Sequence, residues 1–340
     1  MKALIVSDLL DDFAGCAVQE IESPKAEAGQ VVVRLRAAAL GFPDLLMTHG
    51  GYQHKPALPF TPGMEGAGEI IALGAGVSDW VIGERVVVGG LGTMAEEMAV
   101  PTAVLRKIPD NLDFKTAAAT GSAYLTAYVS LVRRAYLQAD EWVLVHGAAG
   151  GVGLAAVDLA KHMGAKVIAT ASSAEKLAIV QNKYAPDAVL NINDGFRTQV
   201  KQITGGGADV IYDPVGGDVF DESVRCIAWG GRLLVVGFAS GRIPDISVNM
   251  PLIKGFSVVG VRAGEFGRRD PEKGHENQAT IWKLAAEGKI SPHVHTTLPL
   301  EQWREAFRQM QERSEERRVG KGGRQGGAEC GGSTESRTGS

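Results

Sequence analysis

The run Val143-Leu-Val-His-Gly-Ala-Ala-Gly-Gly-Val-Gly153 decides how this chain is read. Val143 to Val145 are apolar without alternation, as expected of a strand covered on both faces. They lead directly into glycines, and an amphipathic helical pattern opens at Gly153 and closes before Gly164. Gly147 and Gly150 are expected to permit the tight turn. Gly151 would let a pyrophosphate approach the backbone, and Gly153 would allow close helix–strand packing. Ala148 and Val152 complete the loop. The free N–H groups at such a helix start carry roughly half a positive charge, which favours a phosphate. The stretch therefore predicts a dinucleotide site. His146, just before the turn, could touch a diphosphate or simply pack at the strand end.

The surroundings support that prediction. Residues 142–145, 166–170, 188–190, 210–212, 232–236 and 257–260 read as strands. Helical patterns alternate with them at 117–136, 153–163 and 174–184. Such alternation predicts parallel βαβ units, hence an α/β fold with a Rossmann-type doubly wound parallel sheet over residues 118–262. Residues 1–117 differ. Short strands at 1–6, 30–37, 68–73 and 85–88, with turns at 27–29 and 59–63, predict a β-rich, partly open barrel. Residues 263–312 hold helical patterns at 276–287 and 300–311, with a strand expected at 293–298.

Residues 313–340 are different in kind, with eight glycines, one valine and no aromatic residue. They cannot bury a face and are expected to be disordered. The abrupt change points to a foreign or frame-shifted end.

Which nicotinamide cofactor binds turns on the second strand's end. An NAD site usually carries Asp or Glu there, about 20 residues past the glycines. Here the chain reads Ile168-Ala-Thr-Ala-Ser-Ser-Ala-Glu-Lys176. Ser172, Ser173 and Lys176 would hold a 2′-phosphate by charge-assisted hydrogen bonds, so NADPH is expected, although Glu175 opposes it. Alternatively Ser173 is an N-cap and Lys176 a solvated surface residue; both can hold together.

Composition removes other classes. The 340 residues are 45% hydrophobic and 22% charged with net charge −4, which fits a globular protein and gives no reason to expect a nucleic-acid partner. Neither a signal peptide nor a membrane span is recognisable. Cys16, Cys226 and Cys330 form no ligand or disulfide pattern, which fits a reducing cytoplasm. His49, His54, His275, His293 and His295 have no thiol or carboxylate at ligand spacing and are expected at the surface. No serine sits in a Gly-x-Ser-x-Gly elbow, so nucleophilic catalysis has no support.

Taken together with Gly41-Phe-Pro-Asp-Leu-Leu, Pro59-Phe-Thr-Pro-Gly-Met-Glu-Gly-Ala-Gly68, Ala118-Ala-Thr-Gly-Ser-Ala-Tyr-Leu-Thr-Ala-Tyr128, Asp213-Pro-Val-Gly-Gly217 and Gly230-Gly-Arg-Leu-Leu-Val-Val-Gly-Phe238, the turn gives a pattern. Over about residues 1–312 the chain resembles the quinone oxidoreductase (zeta-crystallin-like) branch of the medium-chain dehydrogenases/reductases. The resemblance implies a GroES-like catalytic domain built from both chain ends, a Rossmann domain inserted between them, and a homodimer formed by edge pairing of Rossmann sheets. It also implies that no metal is bound. Zinc-dependent members carry Cys at the position of Gly41 and Gly-His-Glu at Gly63-Met64-Glu65, and neither Gly41 nor Met64 can serve as such a ligand.

Hydride transfer to a quinone or conjugated carbonyl needs mainly stacking and water exclusion. Tyr52 matches a position beside the nicotinamide, or is a half-exposed loop residue. Thr126 resembles the threonine near the nicotinamide, or packs on the sheet. Asp44 could touch substrate or orient a loop backbone. Gly237 and Phe238 resemble the loop that closes over the nicotinamide, although Phe238 also fits an ordinary apolar loop position. Gly41, where many relatives carry Asn, and residues 262–267, expected to be more aromatic, depart on the substrate side. NADPH-dependent quinone reduction is the leading expectation. The alternatives are an enoyl or 2-alkenal double-bond reductase and a non-catalytic NADPH-binding protein.

Overall fold

The computed structural model describes residues 1–315. The expected disorder of 313–340 lies almost wholly outside them, but its boundary moves, because the last helix continues to Glu315.

The chain opens with β1 (Lys2–Val6) and β2 (Cys16–Glu20), an antiparallel pair. There follow β3 (Gln30–Ala39), α1 (Phe42–Thr48), β4 (Glu65–Leu73), β5 (Arg85–Gly89), β6 (Glu97–Pro101) and β7 (Leu105–Lys107). These five strands form an antiparallel sheet in the order β6-β3-β4-β5-β7. Valines at 31, 33, 86, 88 and 100, with Ile70, fill its interior. Alternating exposed and half-buried residues in the second half of β3 suit a sheet with one face toward water.

Then α2 (Phe114–Ala118) and α3 (Gly121–Tyr128) lead into β8 (Trp142–Val145), α4 (Gly151–His162), β9 (Lys166–Ala171), α5 (Ala174–Tyr184), β10 (Ala188–Asn191) and α6 (Arg197–Thr204). After them come β11 (Ala208–Asp213), α7 (Gly217–Ser223), β12 (Ile227–Val235), α8 (Asn249–Lys254) and β13 (Ser257–Gly260). The six strands pair in parallel, in the order β10-β9-β8-β11-β12-β13. Successive core residues go to opposite faces: Val143 and Val145 join the cluster under α3 and α4, while Leu144 joins Ile211 and Phe196 on the other side. That double burial explains why β8 lacks the alternation of an exposed sheet.

The chain ends with α9 (Ala263–Arg269), α10 (Pro271–Ala286) and α11 (Trp303–Glu315). Asp270 caps α10 by accepting from the Lys273 N–H at 3.1 Å, and Pro271 stands at its first position, where no donor is needed. Ile281, Trp282 and Ala285 of α10 join the core around α3 and α4. Trp303 and Phe307 of α11 pack instead with Leu4, Val6 and Phe13.

Three expectations are corrected. Residues 293–298 form no strand; they run between Pro292 and Pro299 and pair with none of the described strands. The helix expected over 117–136 is divided. It breaks between α2 and α3, where the Thr120 hydroxyl donates to the Thr116 carbonyl at 2.7 Å, and ends in a wider turn over Val129–Arg134. Lastly, α4 starts at Gly151, two residues earlier than the pattern suggested. No described helix is long and apolar enough to cross a membrane.

Candidate functional site

The strand order reverses at β8, whose neighbours are β9 and β11, so a crevice opens at the carboxyl ends of those strands. Gly147 turns the chain there with φ of 55°, a left-handed conformation that favours glycine. Gly150, with φ of −86°, closes the turn by donating its N–H to the Gly147 carbonyl at 2.9 Å and serves as the N-cap of α4, so only Gly147 needs the left-handed conformation. Ala148 is buried, and its N–H donates to the Thr170 carbonyl at 2.9 Å, tying the loop to β9.

At Gly153 a Cβ would lie 2.3 Å from the Gly147 carbonyl oxygen and 2.8 Å from the Ala148 Cα. The turn and the helix are thus pressed together where only hydrogen fits. Gly151 differs: a Cβ there would meet nothing within 4 Å. Its open side faces a helix start with no side-chain cap, and Leu154 is the first residue whose N–H reaches back to Gly150, at 2.8 Å. The amides of Gly151, Val152 and Gly153 are therefore available to an anion. A diphosphate fits this cradle.

His146 takes the packing role. It is fully buried, its ring nitrogens 2.9 Å from the Thr170 hydroxyl and 2.8 Å from the Ser223 hydroxyl. Burial pushes its pKa down to about 3, so the ring is neutral and ties β9 to α7 rather than offering positive charge.

At the end of β9, the Ser173 hydroxyl caps α5 by accepting from the Lys176 N–H at 3.3 Å. The Lys176 ammonium turns back and donates to the Ser172 hydroxyl at 3.4 Å. Capping and convergence hold together: two hydroxyls and one cation gather beside the crevice, while Glu175 stays exposed. Asn193, which sequence reasoning passed over, fixes this loop by donating to the Ser172 carbonyl at 2.9 Å.

On the other side, Gly237 and Phe238 follow β12. The Asp213 carbonyl accepts from the Val236 N–H at 2.9 Å, and the Asp213 carboxylate accepts from Val215 and Gly216 at 2.8 and 2.9 Å. Burial raises Asp213 to about 6 against the pull of those amides. Phe238, 39% exposed, leans over Gly216, where a Cβ would come within 3.0 Å of its ring.

The β-rich side carries the remaining candidates. Asp44 is buried on α1 and accepts from the Gly41 N–H at 2.8 Å and the Gly63 N–H at 3.0 Å, so it orients two backbone segments. Burial raises it to about 6. Tyr52 is partly buried against the Leu4, Val6 and Phe60 cluster. Thr126, on α3, donates to the Ser122 carbonyl at 2.9 Å. Sequence reasoning missed Glu65, whose carboxyl accepts from the Ser122 N–H; burial pushes it up to about 8. Its signal lay in Gly63-Met64-Glu65, read only for the missing histidine.

Known proteins match this arrangement. The alcohol dehydrogenase GroES-like domain matches residues 27–110, and the zinc-binding dehydrogenase family matches residues 151–278. The quinone oxidoreductase-like protein 2 homolog of Nematostella vectensis is 42% identical over 289 residues, covering 84% of this chain and 79% of that protein. The chain belongs to the quinone oxidoreductase branch of the medium-chain dehydrogenases/reductases. Among solved members, the quinone oxidoreductase of Thermus thermophilus, studied also as its NADPH complex, superposes with TM-score 0.79 at 31% identity, over 92% of this chain and 97% of that one. The CurK enoyl reductase superposes with TM-score 0.82 at 25% identity, over 92% and 96%.

This branch member presents Met64 where zinc-dependent relatives carry histidine, and its thioether packs against the Leu4 and Phe60 cluster. Among the described residues no group of three or more His, Cys, Asp or Glu is placed to hold a metal ion. The two described cysteines, Cys16 and Cys226, are buried free thiols.

The two glycines of the turn should separate fold from binding. Gly153→Ala is expected to cost about 1–3 kcal/mol or more and lower the melting temperature by several degrees. Gly151→Ala should melt like the parent yet bind reduced dinucleotide more weakly, as read by fluorescence titration. Equal melting of the two variants would contradict the packing described.

Proposed function

We propose that the protein is a metal-independent, NADPH-dependent oxidoreductase that passes hydride to a quinone. The observation carrying this reading is the uncapped start of α4 at the switch of strand order, flanked by Ser172, Ser173 and Lys176. In it, the amides of 151–153 hold the diphosphate, and the two hydroxyls and the ammonium take the 2′-phosphate. When bound, NADPH supplies the hydride. Thr126, Tyr52 and Phe238 line the place where the acceptor stacks, and Gly237 lets the Phe238 loop close it from water. Asp44 keeps that wall in register through Gly41 and Gly63. A quinone is already electrophilic, so positioning and water exclusion suffice, and no Lewis acid is required. The buried thiols Cys16 and Cys226 support residence in the reducing cytoplasm.

Steady-state oxidation of NADPH with a panel of quinones and enones tests the reaction. Turnover is expected with quinones. The likeness to an enoyl reductase favours the second reading, reduction of enoyl or 2-alkenal double bonds, and turnover with enones alone would establish it instead. Tight binding without turnover on either class would leave a non-catalytic NADPH-binding protein.

Cofactor choice is tested at one side chain. Lys176→Ala should weaken NADPH by about 1–2 kcal/mol, roughly five- to thirty-fold, with little change for NADH. Equal losses for both cofactors would remove Lys176 from the 2′-phosphate.

A homodimer completes the proposal. β13 is the outer strand of the parallel sheet, and Val258 on it is exposed. Trp229, 80% exposed, and Leu252, 79% exposed, extend an apolar margin near that edge. Pairing of two such edges covers unsatisfied backbone groups and apolar surface together. Sedimentation should find a dimer, and Val258→Lys should shift it toward monomer. A monomeric parent protein would rule the pairing out.

A further inference from the structure

Glu65 sits at the start of β4, and its carboxyl reaches across to another segment. Its Oε1 accepts from the Ser122 N–H, in the first turn of α3. The approach depends on Gly121: a Cβ there would lie 2.3 Å from Oε1. The Ser122 carbonyl in turn accepts from the Thr126 hydroxyl at 2.9 Å. Two hydrogen bonds that meet at Ser122 therefore link the β-rich sheet, through the first turn of α3, to Thr126.

We propose that Glu65 is a positioning residue, which seats the first turn of α3 on β4 and thereby sets where the Thr126 hydroxyl stands in the acceptor site. This rests on the placement of Thr126 beside the acceptor in the function proposed above. The backbone of Glu65 is itself fixed, because its carbonyl accepts from the Thr93 hydroxyl at 3.0 Å. Asp44 pins Gly63 two residues earlier, so the segment that carries Glu65 is held on both sides of its side chain.

The charge state of Glu65 follows from what surrounds it. It lines a cavity of about 180 Å³ together with Arg106, Gln278 and Trp282. Asp44 is the like-charged group that acts on it, and among the described residues lining the cavity Arg106 on β7 is the cation; the α2, α3 and α10 residues facing it are uncharged. Burial keeps its pKa near 8, so at neutral pH the carboxyl is mostly protonated. A protonated carboxyl still accepts through its carbonyl oxygen, and glutamine reproduces that state.

The test compares Glu65→Gln, Glu65→Ala and Gly121→Ala in full-length protein. Glu65→Gln should keep kcat/KM within about three-fold, whereas Glu65→Ala should lose about ten- to a hundred-fold, the scale of a small misplacement at a reacting centre. Gly121→Ala, which displaces the carboxyl without altering Glu65, should match the alanine variant; it keeps the question open should Glu65→Ala fail to fold. Thr126→Val combined with Gly121→Ala should lose less than the sum of the two single losses. Hydrogen exchange at the Ser122 amide should be protected in the parent and Glu65→Gln proteins and fast in the other two. Additive losses with Thr126→Val, or equal activity loss in Glu65→Gln and Glu65→Ala, would overturn the proposal. Should the parent oxidise no NADPH, the amide exchange still reports on the Glu65–Ser122 contact, so failure of the function is told apart from failure of the relay.

Discussion

The cofactor side of this molecule depends on the close contact between Gly153 and the Gly147 carbonyl. A strand buried on both faces must release the chain into a helix lying across the sheet, within one short turn. The left-handed φ at Gly147 makes the reversal, and the missing side chain at Gly153 lets α4 come down onto it. The N-cap of α4 is itself a glycine, Gly150, so no side chain caps its first amides. The glycines that let turn and helix pack together therefore also leave three donors aimed into the crevice. Fold and anion site share one cause.

A second theme is the use of carboxyls to hold backbone. Asp44 takes the amides of Gly41 and Gly63, Glu65 that of Ser122, and Asp213 those of Val215 and Gly216. Asp44 and Glu65 reach segments 19 and 57 residues away, whereas Asp213 closes its own turn, and all three carboxyls are met by N–H dipoles rather than by cations. Burial outweighs those dipoles, which is why all three titrate above the ordinary carboxylate range. The sign for stability follows: their contribution is full below the ordinary range and fades as pH rises through about 6 for Asp44 and Asp213 and about 8 for Glu65.

What could be read beforehand divides along physical lines. The Rossmann sheet was legible because doubly buried strands and amphipathic helices each leave a period in the chain, and β8, α5 and β13 fall where the pattern put them. Residues 293–298 misled because a run that reads as a strand does not record whether a partner strand exists. Asp44 left two roles open, since type and spacing cannot tell a carboxylate bound to amides from one facing a substrate. Glu65 was invisible as a positioning group for a related reason. Its partner is a backbone N–H 57 residues away, and backbone donors carry no sequence signature.

The acceptor side was least legible, and the chemistry explains why. A phosphate demands oriented donors, and those demands write glycines and hydroxyls into the chain at fixed places. A planar, electrophilic acceptor asks for flat apolar walls and the exclusion of water, which many side chains supply equally well. The departures at Gly41 and over 262–267 fall on that tolerant side. Gly41 keeps its backbone N–H on Asp44, and the stretch expected to be aromatic becomes α9, whose Gly267 meets Gly274 of α10 at close range. On the proposed reading, cofactor recognition is constrained by charge geometry and acceptor binding chiefly by apolar shape, so chains of this architecture can share the first while differing in the second.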